Sequence, residues 1–449
     1  MKGEGGTIGA LLQPRREKAI PAAHPDLPYI GLEHVEAHTT KLLGSVPATE
    51  MRSTANRFYT GDVLYSRLRP YLNKVWCADH DGLCSSEFIV LPGNDAIDAN
   101  FLRYRLNSKD FVSFANSLNA GDRPRVDFDQ ISSFCLPPFS LAAQRAAVAE
   151  IEKQFTRLEA GAAALRRVQA NLKRYRAAVL KAACEGRLVP TEAELAKTGN
   201  LKTKFESGEA LLARILIERR KKWQGRGEYK EPAASDAATV GPLPDGWTWA
   251  RLEQLGLTFG GLTKNPKRAK LPKQLPYLRV ANVYANELRL QEIEHIGVED
   301  SELDKLLVRA GDLLIVEGNG SKDQIGRLAI WDGSIDPCVH QNHLIKVRSV
   351  EARMPKWILY WLQSPNGRHF VELVASSTSG LYTLSVNKVG HLPIALPPFP
   401  EQTRIVAEVE RRLSVIEELE AVVSSNLQRA TRLRQSILQK AFTGELTAA

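Results

Sequence analysis

The stretch LPPFSLAAQRAAVAEIEKQF, residues 136–155, has a counterpart later in the chain, LPPFPEQTRIVAEVERRL, residues 396–413. Each copy joins a proline turn to a glutamine and then to a long charged run with apolar residues every three or four positions. An offset of 258 residues aligns Gln144 with Gln402, and the match continues to a glycine near the end of each run. The two stretches are therefore copies of one unit.

The repeat also extends upstream of the proline turns. GDVLYSRL (61–68) matches GDLLIVEG (311–318), and LPYIGLEHV (27–35) matches LPYLRVANV (275–283). A period of about 250 residues is far longer than that of solenoid repeats, so the chain is a tandem duplication of a large module.

Each module has two parts. The first part contains short β-rich runs broken by Gly, Pro, Asn and Asp, mixed with helical stretches, and this pattern predicts an α+β domain. The second part has apolar residues at a mean spacing of 3.5, which predicts a long coiled-coil helix. The predicted seam residues are Val148, Ile151, Phe155, Leu158, Ala162, Leu165, Leu172, Val179 and Ala183, with a one-place shift to Val168 and Tyr175, and in the second copy Val406, Val409, Leu413, Ile416, Val423, Leu427, Ala430, Leu433, Ile437 and Ala441.

A helix with one narrow apolar stripe is not stable alone, because most helix stability comes from packing. The matching stripes predict that the two helices pack on each other, antiparallel, with a mixed α/β domain at each end and pseudo-two-fold symmetry. Gly186 and Gly444 are the predicted stop signals. The alternative is that each helix packs on its own domain or on a second chain.

The predicted segments follow from these patterns. They are a first mixed domain at 1–139, a first long helix at 140–188, a helical linker at 189–242, a second mixed domain at 243–398 and a second long helix at 399–449. Ser207 is a candidate N-cap of the linker helix. The first domain lacks the WTWARLEQLG stretch that opens the second, so either it starts differently or residues 1–23 are loosely ordered.

Bulk composition narrows the class of protein. The chain has 449 residues, a net charge of +9 and a pI of about 9.2, which suits a polyanionic partner such as nucleic acid. Its five scattered cysteines favour a reduced, cytoplasmic protein over a disulfide framework or a zinc site. No apolar run approaches the ~20 residues that span a bilayer, so we expect no membrane association.

Several motifs occur in order, twice, and resemble one family. They include RLRPYL at Arg67, CSSEFIVL at Cys84, EGNGSKDQIGR at Glu317, HQNHLIKVR at His340 and LPDGWTWARLEQLG at Leu243. With the LPPF repeats and the GEL ending, the chain resembles the specificity (S) subunit of type I restriction-modification enzymes over nearly its whole length.

The resemblance implies a division of labour. Each mixed domain would be a target-recognition domain that reads one half of a split sequence in double-stranded DNA. The long helices would set the spacing of the halves and hold two methyltransferase (M) subunits, with restriction (R) subunits outside them. The S subunit itself would be non-catalytic.

The residues agree with a chain that is not an enzyme. LPPF places Leu136 and Leu396 where an adenine methyltransferase needs Asn or Asp, and neither an FxGxG loop nor a GxxxxGK[ST] motif is present. We therefore expect no cofactor and no metal in this chain. S-adenosylmethionine, ATP and Mg would belong to the partner subunits.

Candidate DNA-binding residues are Lys and Arg for phosphate and polar side chains for base edges. In the first domain they are Arg67, Arg69, Tyr71, Lys74, Arg123 and Arg125. In the second domain they are Asn319, Ser321, Lys322, Gln324, Arg327, Gln341, Asn342 and Tyr382, with Ser379 as a further candidate. For each of them a solvated loop is the alternative, and Glu87 either accepts from a cytosine amine or caps a turn.

Two other classes of function remain open at this point. One is a free-standing, sequence-specific DNA-binding protein without enzyme partners, which would purify as a bare, stable chain that binds DNA tightly. The other is a coiled-coil scaffold that never meets DNA, for which substitution of Arg67, Arg69, Lys322 and Arg327 would change nothing.

Overall fold

A computed structural model of the chain describes residues 6–118, 121–199, 205–223, 228–235, 240–378 and 380–446. The chain divides into two compact units, Met1–Val168 with Ala421–Ala449 (the first unit) and Gln169–Glu420 (the second unit). Each unit contains one mixed α+β domain and a part of each long helix.

The first unit has two sheets. Its strands are β1 (Lys18–Ala19), β2 (Pro28–Ile30), β3 (Val46–Pro47), β4 (Ala55–Phe58), β5 (Asp62–Ser66), β6 (Val75–Cys77), β7 (Gly82–Cys84) and β8 (Phe88–Pro92). One sheet has the order β1-β4-β7-β2-β3, and the other has the order β6-β5-β8. Its short helices are Ile8–Leu11, Ala99–Leu106, Lys109–Ser117 and Phe128–Ile131.

The second unit repeats this plan with more strands. They are β9 (Thr248–Arg251), β10 (Gly256–Phe259), β11 (Gln274–Leu278), β12 (Val283–Tyr284), β13 (Glu287–Leu288), β14 (Glu294–Gly297), β15 (Leu313–Val316), β16 (Gly318–Asn319), β17 (Leu328–Ile330), β18 (Val339–His340), β19 (Leu344–Ser349), β20 (Ser376–Thr378), β21 (Leu381–Thr383) and β22 (Pro393–Leu396). The strand orders are β10-β19-β15-β17, β14-β11-β18, β12-β13, β16-β21-β20 and β22-β9.

Helices connect the strands of the second unit and follow the first long helix. The described ones are Glu192–Lys197, Gly208–Lys221, Leu252–Leu255, Leu303–Leu306, Pro355–Gln363, Pro365–Val374 and Val386–Gly390. Ser207 caps the second of these, because its side chain accepts a hydrogen bond from the Ala210 amide at 3.2 Å. That cap was predicted from the sequence and is confirmed.

The two domains share one strand arrangement. The central strand β5 pairs antiparallel with β6 and β8, and β15 pairs antiparallel with β17 and β19. A parallel pair joins β2 to β7 in the first domain and β11 to β18 in the second. The duplication inferred from the sequence is therefore a duplication of the fold.

The glutamine of each repeat fixes a long helix to its domain. The buried Gln144 amide donates to the Ala96 carbonyl at 3.0 Å and accepts from the Asp98 amide at 2.8 Å. Gln402, equally buried, donates to the Pro397 carbonyl at 2.8 Å. The Gln144 amide is hydrogen-bonded through both its oxygen and its nitrogen, which fixes the start of the first long helix against the domain. Gln402 makes the corresponding bond to the proline turn through its nitrogen.

The long helices span Leu141–Cys184 and Phe399–Thr443. Gly186 and Gly444 follow their ends with φ of 66° and 83°, and the amide after each glycine donates to the carbonyl five residues earlier, at 2.8 and 3.0 Å. This left-handed ending favours glycine because it has no Cβ. The predicted stop signals are confirmed.

Within the first unit the two helices run antiparallel. Phe101 of the domain contacts both Phe139, just before the first helix, and Phe442 at the end of the second, with ring centroids 5.7 and 5.4 Å apart. Further along, Glu159 of the first helix pairs with Arg434 of the second at 3.2 Å.

The same orientation occurs within the second unit. Arg176 lies 3.5 Å from Glu417 and 3.2 Å from Glu420. Beyond the end of the first helix, the Pro190 carbonyl accepts from Arg404 at 3.0 Å. In each unit, contacts further along the first helix involve lower residue numbers in the second. The predicted antiparallel pairing is therefore confirmed in both units.

Most of the predicted seam is buried. The buried members are Val148, Ile151, Phe155, Leu172, Val179, Ala183, Val409, Leu413, Ile416, Val423, Ile437 and Ala441. Three predicted members are wrong: Val168, Tyr175 and Leu433 are 43–47% exposed. Successive residues of a helix differ by about 100° in direction, so Arg176 faces inward where Tyr175 does not, and Arg434 where Leu433 does not. Arg434 lies 3.8 Å above the Phe155 ring.

The first domain starts as the second does, despite its different sequence. The Ile8 amide donates to the Phe134 carbonyl at 3.0 Å, and the Leu252 amide donates to the Leu392 carbonyl at 2.9 Å. A short helix begins at each of these residues. Residues 6–23 therefore form part of the fold. The start differs just before each short helix, where Thr7 makes only an isolated bridge with Cys135 and β9 pairs with β22 over four residues.

Candidate nucleic-acid interface

The arginine-rich motifs of the first domain meet where β5 ends. The Arg67 amide donates to the Glu87 carbonyl at 2.9 Å, and the Arg67 carbonyl accepts from the Val126 amide at 3.0 Å. The Arg69 amide donates to the Pro124 carbonyl at 2.8 Å. We call Arg67, Arg69, Glu87 and residues 123–126 the first loop cluster.

The backbone of this cluster is strained at Arg69. Its φ is 52° and its ψ 64°, a left-handed conformation that costs roughly 1–2 kcal/mol in a residue with a Cβ. Pro70 follows and starts a turn, Pro70–Leu72. Such strain collects at functional sites, where the surrounding structure holds it in place.

The side chains of the first loop cluster are mostly basic and accessible. Arg69, Arg123 and Arg125 are exposed, and Tyr71 is 44% exposed. Arg125 pairs with Glu87 at 2.8 Å. Glu87 is half-buried and orients this arginine, so it does more than cap a turn.

The second domain builds an equivalent cluster where β15 ends. The Glu317 amide donates to the His343 carbonyl at 2.9 Å, and the Glu317 carbonyl accepts from the Leu384 amide at 2.8 Å. Next to it β16 pairs with β21, with Asn319 opposite Tyr382. We call Glu317, Asn319, His343 and residues 381–384 the second loop cluster.

These bonds match the two clusters residue by residue. Arg67 corresponds to Glu317, because each closes the same pair of backbone hydrogen bonds. Glu87 corresponds to His343 for the same reason. The bridge of Leu68 with Arg125 and the pairing of Gly318 with Thr383 extend the match to the returning strand.

The matched positions differ in chemistry. The first loop cluster has arginine at 67, 69, 123 and 125 and glutamate at 87. The second has glutamate at 317, asparagine at 319, leucine at 381, threonine at 383 and histidine at 343. Each cluster has one carboxylate beside a nitrogen-bearing side chain: Glu87 pairs with Arg125, and Glu317 Oε2 lies 3.2 Å from His343 Nδ1.

The glycine loop of the second domain, residues 317–327, is held in place by Arg368. Arg368 donates to the carbonyls of Lys322 and Asp323 at 3.3 Å and also to that of Ile325. Burial lowers the pKa of this guanidinium. The sequence did not indicate Arg368. It lies on a helix whose apolar pattern predicts the helix itself, but that pattern does not show which loop its polar residues contact.

The polar residues of that loop make local contacts. Lys322 lies 3.5 Å from Glu372, Gln324 donates to Asp323 at 2.9 Å, and Asn319 accepts from the Ser321 amide at 2.9 Å. The loop therefore presents predicted site residues to solvent. Ser379 lies outside the residues that the structure describes.

Lys74 and Arg327 are equivalent and point into their domains. The Ser66 amide donates to the Lys74 carbonyl, and the Val316 amide donates to the Arg327 carbonyl. Lys74 Nζ donates to the Leu32 carbonyl at 2.6 Å, and Arg327 donates to the carbonyls of Val280 and Val283 at 3.0 and 2.8 Å. Both cations thereby stabilise a turn, the one after β2 in the first domain and the one after β11 in the second.

Gln341 and Asn342 lie half-buried at the start of the turn before β19. The Gln341 side chain accepts from the Val280 amide at 3.4 Å, and the Asn342 amide donates to the Leu262 carbonyl at 2.9 Å. His340 beside them is buried, and burial lowers its pKa to about 4. Among the described residues no group of three or more His, Cys, Asp or Glu is arranged to hold a metal ion.

Sequence reasoning missed Glu317 and His343 as members of the site. Both stand in motifs that were noticed, but single-sequence patterns give no reason to choose them. The internal repeat carries the signal: aligned with Arg67 and Glu87, they occupy the matching places.

No family model matches the chain. In sequence it is similar to the Type I restriction enzyme EcoKI specificity subunit of Escherichia coli (strain K12), 32% identical over 42% of this chain and 40% of the relative. It is also similar to the StySPI specificity subunit of Salmonella potsdam, 25% identical over 78% of this chain and 66% of the relative. The chain thus aligns with less than two thirds of each of these curated relatives.

A solved structure gives the class of fold. A chain from a structure of the assembly and conformational transition of the type I R-M system matches 99% of this chain and 98% of its own length, with a TM-score of 0.67 and 20% identity. The chain therefore has a fold found in a type I restriction-modification system.

The particular resemblance follows from the sequence matches. The curated relatives are specificity subunits of type I restriction enzymes, and the resemblance that the repeated LPPF motifs indicated is confirmed. In the described part of the chain no helix is both long and apolar enough to cross a membrane.

Proposed function

We propose that this chain is the DNA-specificity subunit of a type I restriction-modification complex. Each mixed domain reads one half of a split sequence in double-stranded DNA through its loop cluster. The paired helices set the distance between the halves and hold two methyltransferase subunits, with restriction subunits outside them.

The observation that carries this proposal is the duplicated loop cluster. Two equivalent groups of mostly polar side chains, some exposed and some half-buried, stand at strand ends, one in each domain. The same long helices contribute to both units. A protein that reads two separated stretches of DNA needs two such surfaces at a fixed spacing. The net charge of +9 supports a polyanionic ligand.

The chain acts in this proposal without chemistry of its own. S-adenosylmethionine is bound by the methyltransferase subunits, and ATP and Mg by the restriction subunits. This chain supplies shape, charge and base-edge contacts, which need no cofactor.

Co-expression with a methyltransferase subunit of a type I system from the same genome tests the proposal. Long-read sequencing of DNA from such cells should show methylated adenines at one split motif, and cells with either subunit alone should show none. Methylated sites that share no split motif would contradict the proposal.

A free-standing DNA-binding protein is the competing function. It predicts that the chain purifies alone as a stable protein that binds DNA tightly and that it does not retain the methyltransferase subunit on a column. The proposed function predicts a stable complex of one such chain with two methyltransferase subunits.

A further inference from the structure

The glycine loop of the second domain is longer than the matching segment of the first domain. Ser66 and Val316 are equivalent, because the Ser66 amide donates to the Lys74 carbonyl as the Val316 amide donates to the Arg327 carbonyl. Seven residues lie between these two positions in the first domain, and ten lie between them in the second. The tip of the longer loop, residues 320–324, is exposed.

The sequence of the loop gives its tip little rigidity. Gly318 and Gly320 flank Asn319, and a Cβ added at Gly320 would meet only open space. Glycine has more backbone freedom to lose than any other residue. The tip therefore depends on contacts with other elements to keep one conformation.

Such contacts come from the helix Pro365–Val374. Arg368 Nη1 donates to the Ile325 carbonyl. Arg368 Nη2 donates to the carbonyls of Lys322 and Asp323, both at 3.3 Å. The donors of a guanidinium point in fixed directions, so one side chain sets the path of the backbone through three of these neighbouring residues.

Two further contacts keep the same helix next to the loop. The Glu372 carboxylate lies 3.7 Å from Arg368 and 3.5 Å from Lys322. Gly326 has a φ of 67°, and a Cβ there would come within 2.5 Å of Val371. The missing side chain at Gly326 therefore lets the loop approach the helix closely.

At the matching places the first domain has neither the longer loop nor the arginine. Val112 corresponds to Arg368, since each amide donates to the carbonyl of the serine that caps its helix, Ser108 or Ser364. A valine side chain has no donor for a carbonyl. The arginine and the longer loop thus occur together, in the second domain.

We infer that Arg368 is a positioning residue for the second half-site: it holds the glycine loop in the conformation in which the exposed tip contacts DNA bases. The tip carries Ser321 and Gln324, and hydroxyl and amide groups both donate to and accept from base edges. Base reading needs such groups placed to within about 0.5 Å, and a loop that is already ordered loses less entropy on binding. This inference rests on the proposed function and deepens it.

The test removes the donors of Arg368 and keeps a long side chain. The full chain carrying Arg368→Met is co-expressed with a methyltransferase subunit of a type I system from the same genome, and a plasmid library with randomised half-sites is sequenced for methylated adenine. Discrimination at one or more base pairs of the second half-site should fall by about tenfold. The first half-site and the gap should stay as they are.

Two variants accompany that one. Arg368→Lys keeps the charge but replaces the planar fork by a single ammonium, so it should retain an intermediate discrimination. Arg353→Met removes another arginine of the second domain, one that pairs with Glu351 at 3.0 Å and lies 3.6 Å above the Phe399 ring. It should leave both half-sites unchanged.

A merely structural role of Arg368 predicts a different result. Arg368→Met would then lower the melting temperature and the amount of methylation at every site, and the base preferences of both half-sites would stay the same. That result overturns the inference. A loss of discrimination in both half-sites overturns it as well, since the glycine loop belongs to the second domain alone.

The outcomes also separate the inference from the proposed function. If the wild-type complex methylates no split motif, the proposed function fails and the inference with it. If the wild type methylates a split motif and Arg368→Met leaves its second half unchanged, only the inference is overturned. Should Arg368→Met fail to fold, Arg368→Lys decides: weaker discrimination in the second half-site alone supports the inference, and an unchanged motif overturns it.

Discussion

The two loop clusters have the same backbone and different electrostatics. At five matched positions the first domain has four arginines and a glutamate, whereas the second has a glutamate, a histidine and three uncharged residues. The hydrogen bonds that place these residues agree to within about 0.2 Å. The frame is therefore set by strand pairing, and the side chains on it can change without altering it.

Lys74 and Arg327, the equivalent cations that point into their domains, have kept the same contact in both domains. Lys74 and Arg327 keep one role, since each donates to a carbonyl of the turn after the parallel strand. Positions that hold the frame thus keep their function after duplication, and positions on the surface of the frame diverge. That difference is what a protein with two distinct half-sites requires.

The largest expected effect concerns the helix pair that both units share. Ile151→Ala in the first unit and Ile416→Ala in the second should each lower the free energy of unfolding by about 2–5 kcal/mol, because each isoleucine is at most 1% exposed. Val168→Ala is the matched control and should change it by less than about 0.5 kcal/mol, because Val168 is 43% exposed. Urea unfolding followed by circular dichroism measures all three. Equal effects at Ile151 and Val168 would mean that the seam is misplaced.

The next effect is on the salt dependence of DNA binding. Arg69→Ala with Arg123→Ala should weaken binding by about tenfold at low salt and reduce the slope of log K against log salt by about 2, since each phosphate contact contributes about 0.9. The change at the equivalent places of the second domain, Asn319→Ala with Leu381→Ala, should leave the slope as it is. Fluorescence anisotropy over a salt series with the full chain provides the comparison. A slope that falls equally in both double variants would show that the clusters do not differ as described.

A smaller effect is a pH dependence of stability that only the second domain should show. Lys346 of β19 is buried, and burial lowers its pKa to about 7, whereas its equivalent in the first domain is Val90 of β8. Between pH 7 and the ordinary lysine pKa near 10.4, the unfolded chain binds more protons than the folded one, so stability rises with pH. Below pH 7 both states are protonated and this contribution is constant.

Lys346→Met should remove that rise, which is on the order of 1 kcal/mol per pH unit. Urea unfolding at pH 6.5, 8 and 9.5 measures it as a rise with pH in the stability of the wild type relative to that of the variant. Parallel pH profiles would mean that Lys346 stays charged in the folded state.

Much of the fold could be predicted from the sequence because the chain repeats itself. The LPPF turns, the glutamines and the terminal glycines mark the long helices, and the structure uses each of them as the pattern suggests. The misplaced seam residues show the limit of that reasoning. Arg434 can replace Leu433 because its aliphatic stem packs and its charge meets Glu159, and periodicity alone does not show this.

The candidate site could be predicted only in part. Arg123 and Arg125 lie next to a proline as their motif suggests. Their position beside Arg69 comes from backbone pairing that the sequence does not show. Arg327 looked equally suited to DNA in the sequence, yet its guanidinium is used inside the domain. Whether a cation points outward depends on the carbonyls that tertiary folding brings near it, and a single sequence does not record them.

The most direct test of the account is the length of the gap between the half-sites. Insertion of one heptad in the middle of each long helix lengthens the helix pair by about 10 Å, which corresponds to about three base pairs. In cells that also express the methyltransferase subunit, long-read sequencing should show the same two half-sites with a gap about three base pairs longer. A gap of the original length, or a change in the bases read, would contradict the account.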